Sequence, residues 1–366
     1  MNYRNLFNNI IKCTQTYVKL NYFVTNVRQS CSQTNMFIRH LTQTHMMRNY
    51  YKENYKFHKE TVKYFALSGS IIFALFDFFK EKEEDETSEL IMTIKRSVLL
   101  IQKGEFEKAE RMLHIALREA QTLQSYDGIT YIYDLMANLA FETQNYKKAE
   151  KLFISVMQRL MSTGALKDDL RIIHISLKIA KIYNETGDLQ KAEDGYQFCI
   201  ENLEQHLLKD DRDETVVSLL GTTLEWYATM LFSQDKYAQA VKYLSQAYDL
   251  CSRVNGNEHE QTVILLNDLG TVHSMMGEYD KAIEYLSMAA EIGNKLPEMT
   301  DLGSIHINLG NVFIKKGLFN EAKKYCNRGR KMAKSRQDPE SVVEAENCLK
   351  EIKKQIEGRS KIFNFL

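Results

Sequence analysis

Apolar positions recur at helical spacing along most of this chain, in paired stretches separated by short polar turns. Six windows share one arrangement: KGEFEKAERMLHIAL, TQNYKKAEKLFISVM, TGDLQKAEDGYQFCI, SQDKYAQAVKYLSQA, MGEYDKAIEYLSMAA and KGLFNEAKKYCNRGR. Each opens on a small or turn-prone residue, continues with an aromatic residue or Leu, and places an Ala three residues later. The alanines are Ala109, Ala149, Ala192, Ala240, Ala282 and Ala322, spaced 40, 43, 48, 42 and 40 apart. A second amphipathic stretch precedes each turn, as in TVILLNDLGTVHSM and LGSIHINLGNVFIK. Apolar residues at this period predict helices buried along one side.

The repeated unit reads as helix–turn–helix. Phe106, Tyr146, Leu189, Tyr237, Tyr279 and Phe319 are placed to plug the turns, and the small Ala lets two helices approach closely. Further along the second helix stand a bulky residue four beyond the Ala and a small one three further on, as in Leu244 with Ala247 and Leu286 with Ala289. These positions face the next unit, so neighbours stack into a continuous, quasi-one-dimensional core. The expected fold is all-α: a right-handed superhelical solenoid of about six extended helix pairs over residues 89–337. LKDDRDE (208–214) falls in the widest gap and reads as an exposed loop. DPESVVEAENCLKEIKKQI opens a capping helix over 338–358, with Asp338 as cap and Pro339 in the first turn, and 359–366 form a tail.

The stretch before the array differs. Residues 64–79, YFALSGSIIFALFDFF, are mostly apolar, and KEKEEDETSE follows at once. Sixteen helical residues reach roughly 24 Å, short of a hydrocarbon core of about 30 Å. Asp77 lies near the end of the run, where charge is tolerated, and Lys63 and Lys80 can snorkel to extend it. We read 64–79 as one membrane-anchoring or transmembrane helix, 42–63 as a basic flank and 80–88 as a solvated acidic linker.

From Met1 to Lys52 there is no Asp or Glu, while Arg4, Lys12, Lys19, Arg28, Arg39, Arg48 and Lys52 are spread through the segment. Tyr3, Leu6, Phe7, Ile10 and Ile11 share one helical face. An acid-free, basic, amphipathic start is the signature of a mitochondrial transit peptide, assigned to 1–41 with a processing site near Thr42. The basic residues before the apolar run favour the matrix for that flank and the intermembrane space for the array.

Composition narrows the function classes. Residues 1–80 carry eleven Lys/Arg against three acids, and 81–366 carry 37 basic and 45 acidic residues. An acidic body disfavours nucleic acid as a partner. Only two prolines, Pro297 and Pro339, agree with long helices. The six cysteines show no short paired spacing, so no disulfide framework or zinc site is expected. There is no phosphate loop, GxGxxG, HExxH or nucleophile elbow. His174, His273 and His306 fall inside helix patterns as packing or groove residues, and Cys199 and Cys326 occupy packing positions. No catalytic residue, metal, cofactor or small-molecule substrate is expected.

The turn and second-helix pattern of all six windows resembles the tetratricopeptide-repeat family. The period exceeds the usual 34 residues, as in the extended repeats of kinesin light chains, which NEHEQTVILLNDLG (257–270) also resembles. YIYDLMANLAF, HISLKIAKIY, GYQFCIENLE and LEWYATMLFSQ, together with the presequence, apolar segment and acidic linker, resemble a mitochondrial branch of that family over residues 89 to about 352. That resemblance implies an inner-membrane adaptor whose partners are respiratory complex III and the Rieske iron–sulfur protein or its amino-terminal fragments, which it helps to clear. The alternative is an outer-mitochondrial-membrane receptor or cargo adaptor facing the cytosol.

A solenoid of this kind would use the concave face lined by its first helices. Counting back from the turn alanines places Tyr131, Asp134 and Asn138 there in the second unit, and Lys181 and Asn184 in the third. Glu225 and Thr229 follow in the fourth, Asn267 and Thr271 in the fifth, and Asn311 in the sixth. The recurring carboxamides, each both donor and acceptor, suit an extended peptide backbone gripped with little sequence preference.

Overall fold

A computed structural model describes residues 85–363, apart from 210–212, 297, 298 and 300. The transit peptide, basic flank and apolar run of the sequence reading lie outside the described residues. Thirteen helices and no strand occur among those described.

Six helix pairs follow one another: α1 (Asp85–Gln102) with α2 (Phe106–Thr122), α3 (Tyr126–Glu142) with α4 (Tyr146–Ser162), and α5 (Leu170–Thr186) with α6 (Leu189–Lys209). Then come α7 (Glu214–Ser233) with α8 (Tyr237–Asn255), α9 (Glu260–Met275) with α10 (Tyr279–Gly293), and α11 (Leu302–Lys315) with α12 (Phe319–Ser335). A final helix, α13 (Pro339–Phe363), packs on α12 and α11. This is the all-α helix-pair solenoid that the periodicity predicts.

Every turn alanine is fully buried, as are the bulky residues four positions on, such as Leu113, Phe153, Tyr196 and Leu286. The turn aromatics act as lids rather than plugs. Tyr146 is half-buried with its ring 6.2 Å from that of Phe141, and Tyr237 lies 5.5 Å from Phe232. Each within-pair turn carries one residue at positive φ: Gly104, Gln144, Gly187, Asp235, Gly277 and Gly317. Several helix starts are capped by a short side-chain oxygen. Asp213 accepts from the backbone N–H groups of Thr215 and Val216 at 2.9 and 3.2 Å, and Asp338 accepts from Ser341 N at 3.1 Å.

Three expectations change. Helix α1 begins at Asp85, so part of the acidic linker is helical; a first turn tolerates acidic residues because of the helix dipole. Helix α13 continues through Gly358 to Phe363, where a tail was expected; one helical Gly costs only about 1 kcal/mol. Cys326 and Cys348 form a disulfide, Cα–Cα 6.2 Å, between α12 and α13. The two lie 22 residues apart on different helices, and only the folding of α13 back onto α12 brings them together. Gly310 on α11 faces both sulfurs and leaves the room they fill.

Candidate functional site

The first helices α3, α5, α7, α9 and α11 are linked in succession by side-chain contacts, a cation–ring approach between α5 and α7 and hydrogen bonds at the other steps. On α3, Asn138 Nδ2 donates to the Asp134 carbonyl at 2.8 Å and to Asp134 Oδ2 at 3.1 Å, and its Oδ1 accepts from Lys178 Nζ of α5. Lys181, also on α5, is ion-paired with Glu185 at 3.0 Å, and its Nζ lies 5.7 Å from the Trp226 ring centroid on α7. Glu225 Oε2 of α7 accepts from Gln261 Nε2 of α9 at 2.7 Å. Asn308 Nδ2 of α11 donates to Asn267 Oδ1 of α9 at 2.9 Å, and Lys315 Nζ donates to Ser274 Oγ at 3.2 Å. Ser304 and Ser341 hydroxyls meet at 3.3 Å, carrying the sequence on to α13.

The expected peptide-gripping row is therefore divided. Asn138 is buried and Asn267 half-buried, and both spend their carboxamides on neighbouring helices. Thr229 and Thr271 donate to carbonyls one turn back in their own helices, those of Glu225 and Asn267, at 2.9 Å. Tyr131 and Glu225 are buried. Asn184 and Asn311 are half-buried, and their side chains have no partner among the described residues. These two carry unspent side chains at positions that the sequence count assigns to this face.

Lys178, Gln261, Asn308 and Lys315 were not anticipated from sequence. Lys178 is 2% exposed within HISLKIAKIY, where one Lys among apolar neighbours reads as a surface interruption. Burial pulls its ammonium down to about 8, against the opposing attraction of Asp134 and Glu142. Burial raises the Asp134 carboxyl, and the facing Lys178 and the Asn138 hydrogen bond oppose that rise. Burial, then the Asp134 charge, raises the Tyr131 phenol. Burial, helped by Lys178, holds His174 well below the ordinary imidazole value. The result is a desolvated polar seam between the second and third pairs, in which Asn138 bonds both Asp134 and Lys178. It joins α3 to α5.

The histidines expected to pack do so. His273 is buried, stacks on Tyr285 at 5.3 Å and meets Glu278 at 2.9 Å. His306 is 1% exposed beside Tyr325, and burial lowers its imidazole to about 4. Among the described residues, no group of three or more His, Cys, Asp or Glu is arranged to hold a metal, and no helix is long and apolar enough to cross a membrane.

Residues 219–295 and 303–334 match the tetratricopeptide-repeat family. The solved structure of the apo form of RapI superposes with a TM-score of 0.53 at 13% identity, covering 75% of this chain and 89% of that one, a likeness of fold. The Drosophila melanogaster protein described as tetratricopeptide repeat protein 19 homolog, mitochondrial, is 39% identical over 298 residues, 81% of each chain. Human mitochondrial tetratricopeptide repeat protein 19 is 33% identical over 282 residues, 74% of each chain. Sequence, repeat architecture and coverage agree, and the chain belongs to the family of mitochondrial tetratricopeptide repeat protein 19.

Proposed function

We propose that this protein is a non-catalytic adaptor of the mitochondrial inner membrane that binds respiratory complex III. In this role it promotes clearance of amino-terminal fragments of the Rieske iron–sulfur protein and so maintains the complex. The observation that carries the reading is the 39% identity across 81% of both chains to a relative described as mitochondrial. The acid-free start of the sequence and the apolar run at 64–79 support import and tethering, with the array in the intermembrane space.

The first-helix face supplies the partner surface in this reading. Lys181, Asn184 and Asn311 offer unspent or partly exposed polar groups along a rigid row. Backbone gripping of an extended segment fits leftover peptides of varied sequence.

Depleting the protein and immunoblotting purified complex III for Rieske amino-terminal fragments tests the proposal. Fragments should accumulate and should clear on return of the intact chain, but not of one lacking residues 64–79. Complex III free of retained fragments after depletion would overturn it and leave an outer-membrane receptor as the reading to pursue.

A further inference from the structure

Helix α12 departs from the charge of the body around it. Residues 319–335 hold six Lys/Arg and one acid, Glu321, whereas residues 81–366 as a whole are net acidic. The helix buries a narrow, small-residue side made of Ala322, Cys326, Gly329 and Ala333 against α11 and α13. At 100° per residue, Lys323, Lys324, Arg328, Lys331 and Lys334 fall within the opposite half of the helix, with Arg330 just outside it. All of these except half-buried Arg330 are exposed.

Little in the protein neutralises this arc. Lys324 lies 4.0 Å from Glu321 at its edge. Among the described residues, Arg328 and Arg330 donate to the neutral carboxamides of Asn294 and Asn327. Lys323, Lys331 and Lys334 have no polar partner among the described residues. Clustered like charges repel one another, so the arrangement weakens the isolated fold and is relieved by an anionic counter-surface.

We propose that the exposed face of α12 docks on an anionic phospholipid bilayer. Most of the face is Lys, a hydrated point charge that suits diffuse attraction to headgroups rather than bidentate recognition of a particular carboxylate or base. The charges run along a helical ridge, with exposed Leu318 and the half-buried Met332 beside them, in keeping with an interfacial contact. Juxtamembrane basic clusters are drawn to anionic leaflets within a Debye length. The docking rests on the tethered reading only for the nearness of a bilayer, since tethering makes a weak surface contact intramolecular.

The test uses the full chain reconstituted into phosphatidylcholine vesicles, or into vesicles in which part of that lipid is replaced by phosphatidylglycerol. Vesicle-bound protein is recovered by flotation, and labelling of its lysines by a water-soluble amine-reactive ester is read by mass spectrometry. Labelling of Lys323, Lys324, Lys331 and Lys334 should fall several-fold in the anionic vesicles, while exposed Lys147 and Lys242 are unchanged. The protection should vanish at high salt. It should also vanish at Lys324 in a variant carrying Lys323→Gln, Lys331→Gln and Lys334→Gln, whose exposed substitutions spare the core. Equal labelling of α12 in both vesicle types would overturn the docking face and point to an acidic protein partner instead. Failure of the chain to float with either vesicle type separately reports loss of the tether.

Discussion

Asn308 donates a hydrogen bond to Asn267 at 2.9 Å, joining two first helices across 41 residues of sequence. This contact turns a surface expected to hold a ligand into part of the scaffold, and it separates two kinds of asparagine. Replacing Asn308 with Ala should cost about 1 kcal/mol, because Asn267 Oδ1 loses its donor in a half-buried place. Thermal unfolding measures that loss. The Asn184→Ala, Asn311→Ala double variant should instead leave stability within about 0.5 kcal/mol and weaken binding of a Rieske amino-terminal peptide in fluorescence anisotropy. Unchanged peptide binding in that variant would remove the first-helix face from the mechanism.

At Gly329, α12 packs tightly against α11. A Cβ there would stand 2.6 Å from Ile307 Cγ1 and 2.8 Å from the Gly303 carbonyl oxygen, and the second of these cannot rotate away. Gly329→Ala should therefore destabilise by about 1–3 kcal/mol, the usual range for an overpacked core. Gly221 in α7 has open space around the same position and no positive φ. Gly221→Ala should raise stability by about 0.5–1 kcal/mol through helix propensity alone. Opposite shifts in denaturant midpoint would confirm the pair.

Two of the six within-pair turns place a side chain where four use glycine. Gln144 and Asp235 both have φ of 60°, a left-handed conformation that strains an L-residue by roughly 1–2 kcal/mol. Gln144→Gly and Asp235→Gly each relieve that strain and partly offset the gain by loosening the unfolded chain. A net stabilisation of about 0.5–1 kcal/mol per turn is expected from calorimetry. A loss in both would show that the side chains themselves hold the turns.

Lys178 should make stability depend on alkaline pH. Its ammonium ionises at about 8 in the folded chain against 10.5 ordinarily, so across that window the unfolded chain binds the extra proton. Stability therefore gains with rising pH between the two values and is flat in this respect below the lower one. Lys178→Met should remove the rise, seen as denaturation midpoints of variant and wild type that diverge only above about pH 8. Parallel midpoints through the whole range would mean that water reaches the ammonium.

The repeat was legible in the sequence because it is local. An Ala between two helices, a bulky residue one turn on and a small one after it recur in one order, and each satisfies close packing with its immediate neighbours. Burial of all six alanines, from Ala109 to Ala322, follows from that pattern with little help from distant residues. The candidate face was legible only in part. Counting positions proposed a stripe, but could not tell Asn267 and Asn138, which have a partner on a neighbouring first helix, from Asn184 and Asn311, which have none among the described residues. Helical period decides which way a side chain points, while its partner depends on how far and at what height the next helix lies. The same reason hid Lys178 within an apolar stretch and the Cys326–Cys348 link across 22 residues. Sequence by itself determined the helix pairs and their order. Tertiary structure decided which polar groups they consume in stacking, because stacking brings together side chains that no local spacing relates.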